Sequence, residues 1–122
     1  MSDLIHNYYA VEGMSSKEQI AELVKMLNER FGRKENSYGL TFFPVHQKQE
    51  PCELVCADDE NTDSNVAVYL SEAYPDRDVF YYSTDEFDPE WEMYSKWRNG
   101  QIQESKVRKY FHPDKLENRF RE

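Results

Sequence analysis

Apolar residues recur at intervals of three and four in the region 16–31, a pattern that predicts one amphipathic helix. The apolar stripe consists of Ile20, Leu23, Val24, Leu27 and Phe31. Ser15 and Glu18 have the spacing of a capping box, in which the side chain of each residue satisfies the backbone amide of the other. Gly32 stands where a left-handed C-terminal cap is expected.

A period of two between apolar and polar residues predicts strands elsewhere in the chain. These strands are predicted at residues 4–12, 39–46, 79–84, 90–97 and 101–104. Pro44 lacks a backbone amide proton, which indicates an edge strand or an irregular strand end. Asn99 and Gly100 lie between the last two strands. This pair is typical of a type I′ hairpin, whose two central residues both need positive φ.

Residues 65–74 fit a helix or a strand, and we predict a helix because Pro75 supplies its end. Residues 52–57 are apolar and remain unassigned. The order β-α-β-α-β-β-β predicts an α+β fold of ferredoxin-like type, with two helices on one face of a mainly antiparallel sheet of four to five strands. Residues 1–104 form this predicted domain, and residues 105–122 are predicted to be a polar, mildly basic tail.

Two segments also resemble a known family. Residues 7–13 read NYYAVEG and residues 70–75 read LSEAYP. They are similar to the N-x-L-x-V-x-G strand and the L-S-x-x-Y-P helix end of the YubB-type ferredoxin-like domains, which phages and plasmids carry. The aromatic strands that close at Asn99 and Gly100 are similar to those domains as well. The resemblance implies a fold and a phage or plasmid origin, and it carries over no catalytic residue.

The 122-residue chain has a formal charge of −9, and the charge is unevenly distributed. Residues 1–103 hold twenty acids and nine bases, whereas residues 104–122 hold four acids and six bases. Because binding to phosphates needs Lys and Arg to replace counterions, we expect no direct nucleic-acid partner for the acidic part. Its expected partner is a protein, with a basic surface as the natural complement.

Location and assembly follow from weaker signals. No apolar run is long enough for a membrane span, and residues 1–9 lack the pattern of a secretory signal. We therefore expect a cytoplasmic protein, a monomer or small homo-oligomer, without a membrane partner. Cys52 and Cys56 are expected to be free thiols.

The densest acidic segment, residues 85–92, fails the spacing of an EF-hand loop at its glycine and glutamate positions. A looser divalent site of Asp85, Asp88 and Glu90 stays open, but we predict no metal and no cofactor. Between residues 87 and 97 the odd positions are apolar and the even positions mostly charged, which predicts a strand with one buried and one wet face. The hypothesised binding surface consists of Asp58, Asp59, Glu60, Asp63, Asp85, Glu86, Asp88, Glu90 and Glu92.

These observations favour a small, acidic, non-enzymatic protein-binding domain. One alternative is a protein that imitates nucleic-acid phosphates and inhibits a nuclease or another DNA-binding protein. A second is a small enzyme with an acidic or Cys/His site, such as His46 beside Cys52. A third is a nucleic-acid binder that uses the bases of residues 105–122.

Overall fold

The structure is a computed structural model that describes residues 5–32, 39–45, 55–59, 62–85 and 91–109. The helices and strands are β1 Ile5–Val11, α1 Lys17–Phe31, β2 Phe42–Pro44, β3 Val55–Asp59, α2 Ser64–Ala73, β4 Val79–Asp85, β5 Trp91–Arg98 and β6 Gln101–Lys109.

The six strands form a single sheet in the order β2-β3-β1-β4-β5-β6, and all neighbours are antiparallel. The α+β class is therefore confirmed. The predicted count of four to five strands is wrong, because β3 lies in the apolar segment that remained unassigned. Its residues Val55, Cys56 and Ala57 are all buried, so β3 shows no alternation of apolar and polar positions.

The main core lies between the helices and one face of the sheet. The sheet contributes Tyr9, Val11, Phe42, Val55, Ala57, Val79 and Tyr81, and the helices contribute Ile20, Leu23, Leu27, Val66, Ala67 and Leu70. The predicted apolar stripe of α1 thus faces this core, and the choice of a helix for residues 65–74 is confirmed by α2.

The two ends of α1 differ from their predictions. The N-cap is Ser16 rather than Ser15, and its capping partner is Gln19 rather than Glu18. The Gln19 amide donates to Ser16 Oγ at 3.1 Å, while Gln19 Oε1 accepts from the Ser16 amide at 3.2 Å. Gly32 is extended rather than left-handed. A Cβ atom there would overlap the Asn28 carbonyl oxygen, so glycine is needed for close approach.

The β5–β6 hairpin has the predicted turn, since φ is +48° at Asn99 and +79° at Gly100. The Gly100 amide donates to Ser71 Oγ at 2.8 Å, which ties the turn to α2.

Strand β6 runs to Lys109, so residues 105–109 of the predicted tail lie in the sheet. Pro44 predicted an edge strand or an irregular strand end, and both agree with the structure: Pro44 is the last residue of β2, which pairs only with β3 among the described strands. Neither helix of the described ranges is long and apolar enough to cross a membrane.

Candidate functional site

The sheet brings the two acidic segments of the sequence to one end. Ile5, the first residue of β1, pairs with Asp59 of β3 on one side and with Asp85 of β4 on the other. Because neighbouring strands are about 4.8 Å apart, the backbones of Asp59 and Asp85 are about 10 Å apart. Glu92 lies near the start of β5, at the same end of the sheet. Two segments separated by more than twenty residues therefore converge.

The predicted surface residues differ in exposure at this end. Asp59 is only 4% exposed, which corrects its assignment to an accessible surface. Asp58 is half-buried and pairs with His6, and Asp63 is partly buried as the N-cap of α2. Asp85 and Glu92 lie at strand ends. The remaining predicted residues, Glu60, Glu86, Asp88 and Glu90, lie outside the described residues.

The two faces of β5 only partly match the predicted division into a buried and a wet side. Trp97 packs against the main core and Ser95 is buried, as expected for the odd positions. Met93 is 38% exposed. On the opposite face, Tyr94 lies 4.9 Å from Tyr82 between ring centroids, so the even positions also make aromatic contacts.

A buried polar cluster lies beneath the first turn of α2. Asn7 is fully buried, and its Oδ1 accepts hydrogen bonds from the Tyr81 hydroxyl and from the Asp63 amide. The Asp63 amide also donates to the Tyr81 hydroxyl at 2.9 Å. The Tyr9 hydroxyl donates to the Asp63 carbonyl at 2.9 Å. Side chains from β1 and β4 therefore hold the backbone at the start of α2.

The side chains of Asp59 and Asp63 form a carboxyl pair within this cluster. Burial raises the pKa of Asp63 to about 7, with further contributions from a hydrogen bond to Asp59 and from the charge of Asp59. Asp63 Oδ2 is buried and has no hydrogen-bond partner among the described residues. A carboxyl that titrates near neutral pH can serve as a proton donor or acceptor, which is the chemical capacity of this pair.

A second cluster lies on the sheet face opposite the helices. Asp58 Oδ1 is 2.6 Å from His6 Nδ1 and 3.6 Å from Cys56 Sγ. Burial raises the pKa of the Cys56 thiol far above its usual range, and the Asp58 charge adds to the shift. A nucleophilic cysteine needs a lowered pKa and an adjacent base. The raised pKa favours the protonated thiol, and the side chain is only 3% exposed, so Cys56 does not have the features of an activated nucleophile.

Sequence reasoning missed His6, because its partner Asp58 is 52 residues away and only the β1–β3 register joins them. The predicted pair His46 and Cys52 lies outside the described residues. Within the described part of the chain, no group of three His, Cys, Asp or Glu side chains is arranged to hold a metal ion.

Comparisons with protein-family models, curated proteins and solved structures found no match to this chain.

Proposed function

We propose that this chain is a small, non-enzymatic domain that binds a protein with a basic surface, through the acidic end of its sheet. The acidic end is defined as Asp58, Asp63, Asp85 and Glu92. The observation that carries the proposal is the placement of Asp59 and Asp85 on the two sides of Ile5, which brings both acidic segments together. Buried Asp59 is not part of the binding surface.

The distribution of charge along the sheet supports this choice of surface. At the other end, Arg98 lies 3.4 Å from Asp78, and Arg77 donates to the Glu12 carbonyl at 3.2 Å. Acids and arginines are therefore mixed there. At the acidic end, Arg108 is the register partner of Glu92 on the outer strand β6. Strands β1, β3 and β4 contain no Lys or Arg. We therefore expect a basic partner to dock at their acidic end.

We further propose a ferredoxin-like fold of YubB type, which the order of elements supports. A phage or plasmid origin and a cytoplasmic location are part of the same proposal. The connection from β1 through α1 to β2 passes over one strand, β3, and the connection from β3 through α2 to β4 passes over β1. A split βαβ pair has two such crossings, which is why the order of elements supports the proposed fold. Strands β5 and β6 then extend the sheet beyond β4.

The burial of Asp59 and the pairing of Asp58 with His6 argue against the narrower version, a mimic of nucleic-acid phosphates. Such a mimic needs rows of accessible carboxylates. The protonated Cys56 thiol argues against an enzyme with a Cys/His site among the described residues. A general protein-binding domain needs neither feature.

The proposal is tested with a triple variant of the acidic end, Asp58→Asn, Asp85→Asn and Glu92→Gln. A lysine-rich peptide serves as the probe, and isothermal titration measures its Kd at low and at physiological salt. We expect the variant to bind about tenfold more weakly at low salt, or about 0.5 kcal/mol for each charge removed. Salt should weaken the wild-type complex more than that of the variant.

The matched control is a second triple variant, Glu12→Gln, Glu72→Gln and Asp76→Asn, which removes three exposed acids elsewhere. Both variants change the net charge by the same amount, so a nonspecific effect of charge would weaken binding equally. The proposal requires the control to bind within about twofold of wild type. Equal losses in the two variants, or no loss in either, would overturn it.

A further inference from the structure

Asp63 occupies the N-cap position of α2 without capping the helix. Aspartate is among the preferred N-cap residues, because its side chain can accept from the second or third amide of the helix. The Asp63 side chain makes no such bond, whereas Ser16 at the N-cap of α1 does. For α2 the two amides belong to Asn65 and Val66, and the Val66 amide bonds instead to the Asp63 carbonyl at 3.2 Å.

The Asp63 side chain lies instead close enough to Asp59 for the Asp59 carboxyl to raise its pKa. Asp59 is two residues beyond Ala57, the register partner of Asn7, so Asp59 shares a sheet face with the Asn7 side chain that accepts from the Asp63 amide. An ionised carboxylate is only an acceptor, so two carboxyl groups can bond to each other only while one of them holds a proton. Asp59 lies on β3 and is 4% exposed, so water screens the pair poorly. Loss of the shared proton would place two negative charges side by side in this buried position.

Hydrogen bonds fix the backbone of Asp63, whereas its side chain can change rotamer. Asn7 and Tyr81 accept from the Asp63 amide, and Tyr9 donates to its carbonyl. A change in the rotamer of Asp63 therefore leaves these anchors in place. The Asp63 side chain has two alternative partners. One is the Asp59 carboxyl, and the other is the pair of amides of Asn65 and Val66, of which the Val66 amide bonds to the Asp63 carbonyl in this structure.

We propose that Asp63 is a proton-operated cap of α2. In its protonated state Asp63 is bonded to Asp59, and the first turn of α2 lacks a side-chain acceptor. In its ionised state Asp63 turns away from Asp59 and accepts from the amides of Asn65 and Val66. The inference does not depend on the proposed function.

The groups that face Asp63 set the balance between the two states. Asp59 from β3 favours the protonated state, and so does burial. Tyr9 from β1 and Tyr81 from β4 have pKa values raised by burial, so their phenols stay neutral around pH 7. The first turn of α2 carries no acidic residue, and its dipole favours an ionised Asp63. Burial and Asp59 together raise the pKa of Asp63 to about 7.

The test follows the Asp63 carboxyl carbon and the amide protons of Asn65 and Val66 by NMR, from about pH 5 to about pH 9. In wild type we expect all three signals to change with one midpoint near pH 7. The two amide protons should move downfield as they gain a carboxylate acceptor. The variant Asp59→Asn should lower the midpoint by at least about one pH unit, because its side chain adds no charge.

Two further variants separate capping from other effects. Asp63→Ser supplies a neutral cap, so its Asn65 and Val66 amides should be shifted at every pH and show no transition. Asp76→Asn, which removes an exposed acid after α2, should leave the midpoint unchanged. An Asp63 carboxyl that titrates near pH 4 in wild type would overturn the proposal. So would α2 amides that stay still while Asp63 titrates, or an amide transition that persists in Asp63→Ser.

Discussion

Replacement of Asn7 by alanine should destabilise the protein by about 3 kcal/mol. Asn7 is fully buried, and its Oδ1 accepts from the Tyr81 hydroxyl and from the Asp63 amide. The Asp63 amide keeps its bond to the Tyr81 oxygen, but the Tyr81 proton loses its acceptor. An unsatisfied buried donor costs about 1–3 kcal/mol. The cavity left by the amide adds about 1–2 kcal/mol, and the two terms together give the expected value.

A double-mutant cycle with Tyr81→Phe isolates the hydrogen bond from the cavity. Tyr81→Phe alone should cost about 1–1.5 kcal/mol, because the Asn7 oxygen still accepts from the Asp63 amide. In Asn7→Ala the phenol proton already lacks an acceptor, so Tyr81→Phe removes that unsatisfied donor. It also leaves the Asp63 amide without either acceptor, so the two effects should nearly cancel. The double variant should therefore be more stable than the sum of the single effects predicts, by about 1 kcal/mol.

The measurement is equilibrium unfolding in urea, followed by far-UV circular dichroism and by tryptophan fluorescence. Trp97 is a suitable reporter because it packs against the main core. Asn65→Ala is the matched control: Asn65 is exposed on α2, and its replacement should change the free energy of unfolding by less than about 0.5 kcal/mol. A cost below about 1 kcal/mol for Asn7→Ala, or strict additivity in the cycle, would refute the buried-network reasoning.

Three further measurements check the local structure and the carboxyl pair. In urea unfolding, Ser16→Ala should lower the free energy of unfolding by about 1 kcal/mol and Ser15→Ala by less than about 0.5 kcal/mol. The reverse order would contradict an N-cap at Ser16. Gly100→Ala should lower the free energy of unfolding by about 1–2 kcal/mol, because φ is +79° and a Cβ atom would lie 3.1 Å from a side-chain carbon of α2. An unchanged stability in thermal unfolding would contradict the turn geometry. The pKa of Asp63 is raised to about 7 in the folded state. Between about pH 4 and pH 7 the folded state therefore keeps a proton that the unfolded state loses. The free energy of unfolding should fall as the pH rises through this window and stay level above it. After allowance for the partial exposure of Asp63, the fall should be about 1–2 kcal/mol relative to Asp63→Asn, and urea unfolding with parallel curves for the two proteins would contradict it.

Local signals predicted those elements whose conformation depends on near neighbours in the chain. The stripe of α1 repeats at helical spacing, so one face had to be apolar wherever the helix docked. Asn99 and Gly100 tolerate positive φ, which determined the hairpin before any tertiary contact was known. The cap of α1 was misplaced by one residue, because Ser15 with Glu18 and Ser16 with Gln19 both fit the capping-box spacing.

The candidate site was predicted less well because its chemistry depends on burial and on register. The sequence indicated Asp59 and Asp63 as surface acids, since aspartate is mostly exposed in proteins. Only the tertiary structure buries Asp59 and brings it close enough to Asp63 to raise the Asp63 pKa. The same holds for His6 and Asp58, which no local pattern relates but which the β1–β3 register places opposite each other.

The sequence by itself determined the α+β class, the amphipathic α1, the edge position of Pro44 and the β5–β6 turn. Each of these rests on backbone preference or on periodicity over a few residues. Only the tertiary structure decided that β3 fills the place between β1 and β2, that two distant acidic segments flank Ile5, and that Asn7 holds the start of α2. Those features arise from strand pairing and desolvation across more than fifty residues, for which a linear pattern carries no signal.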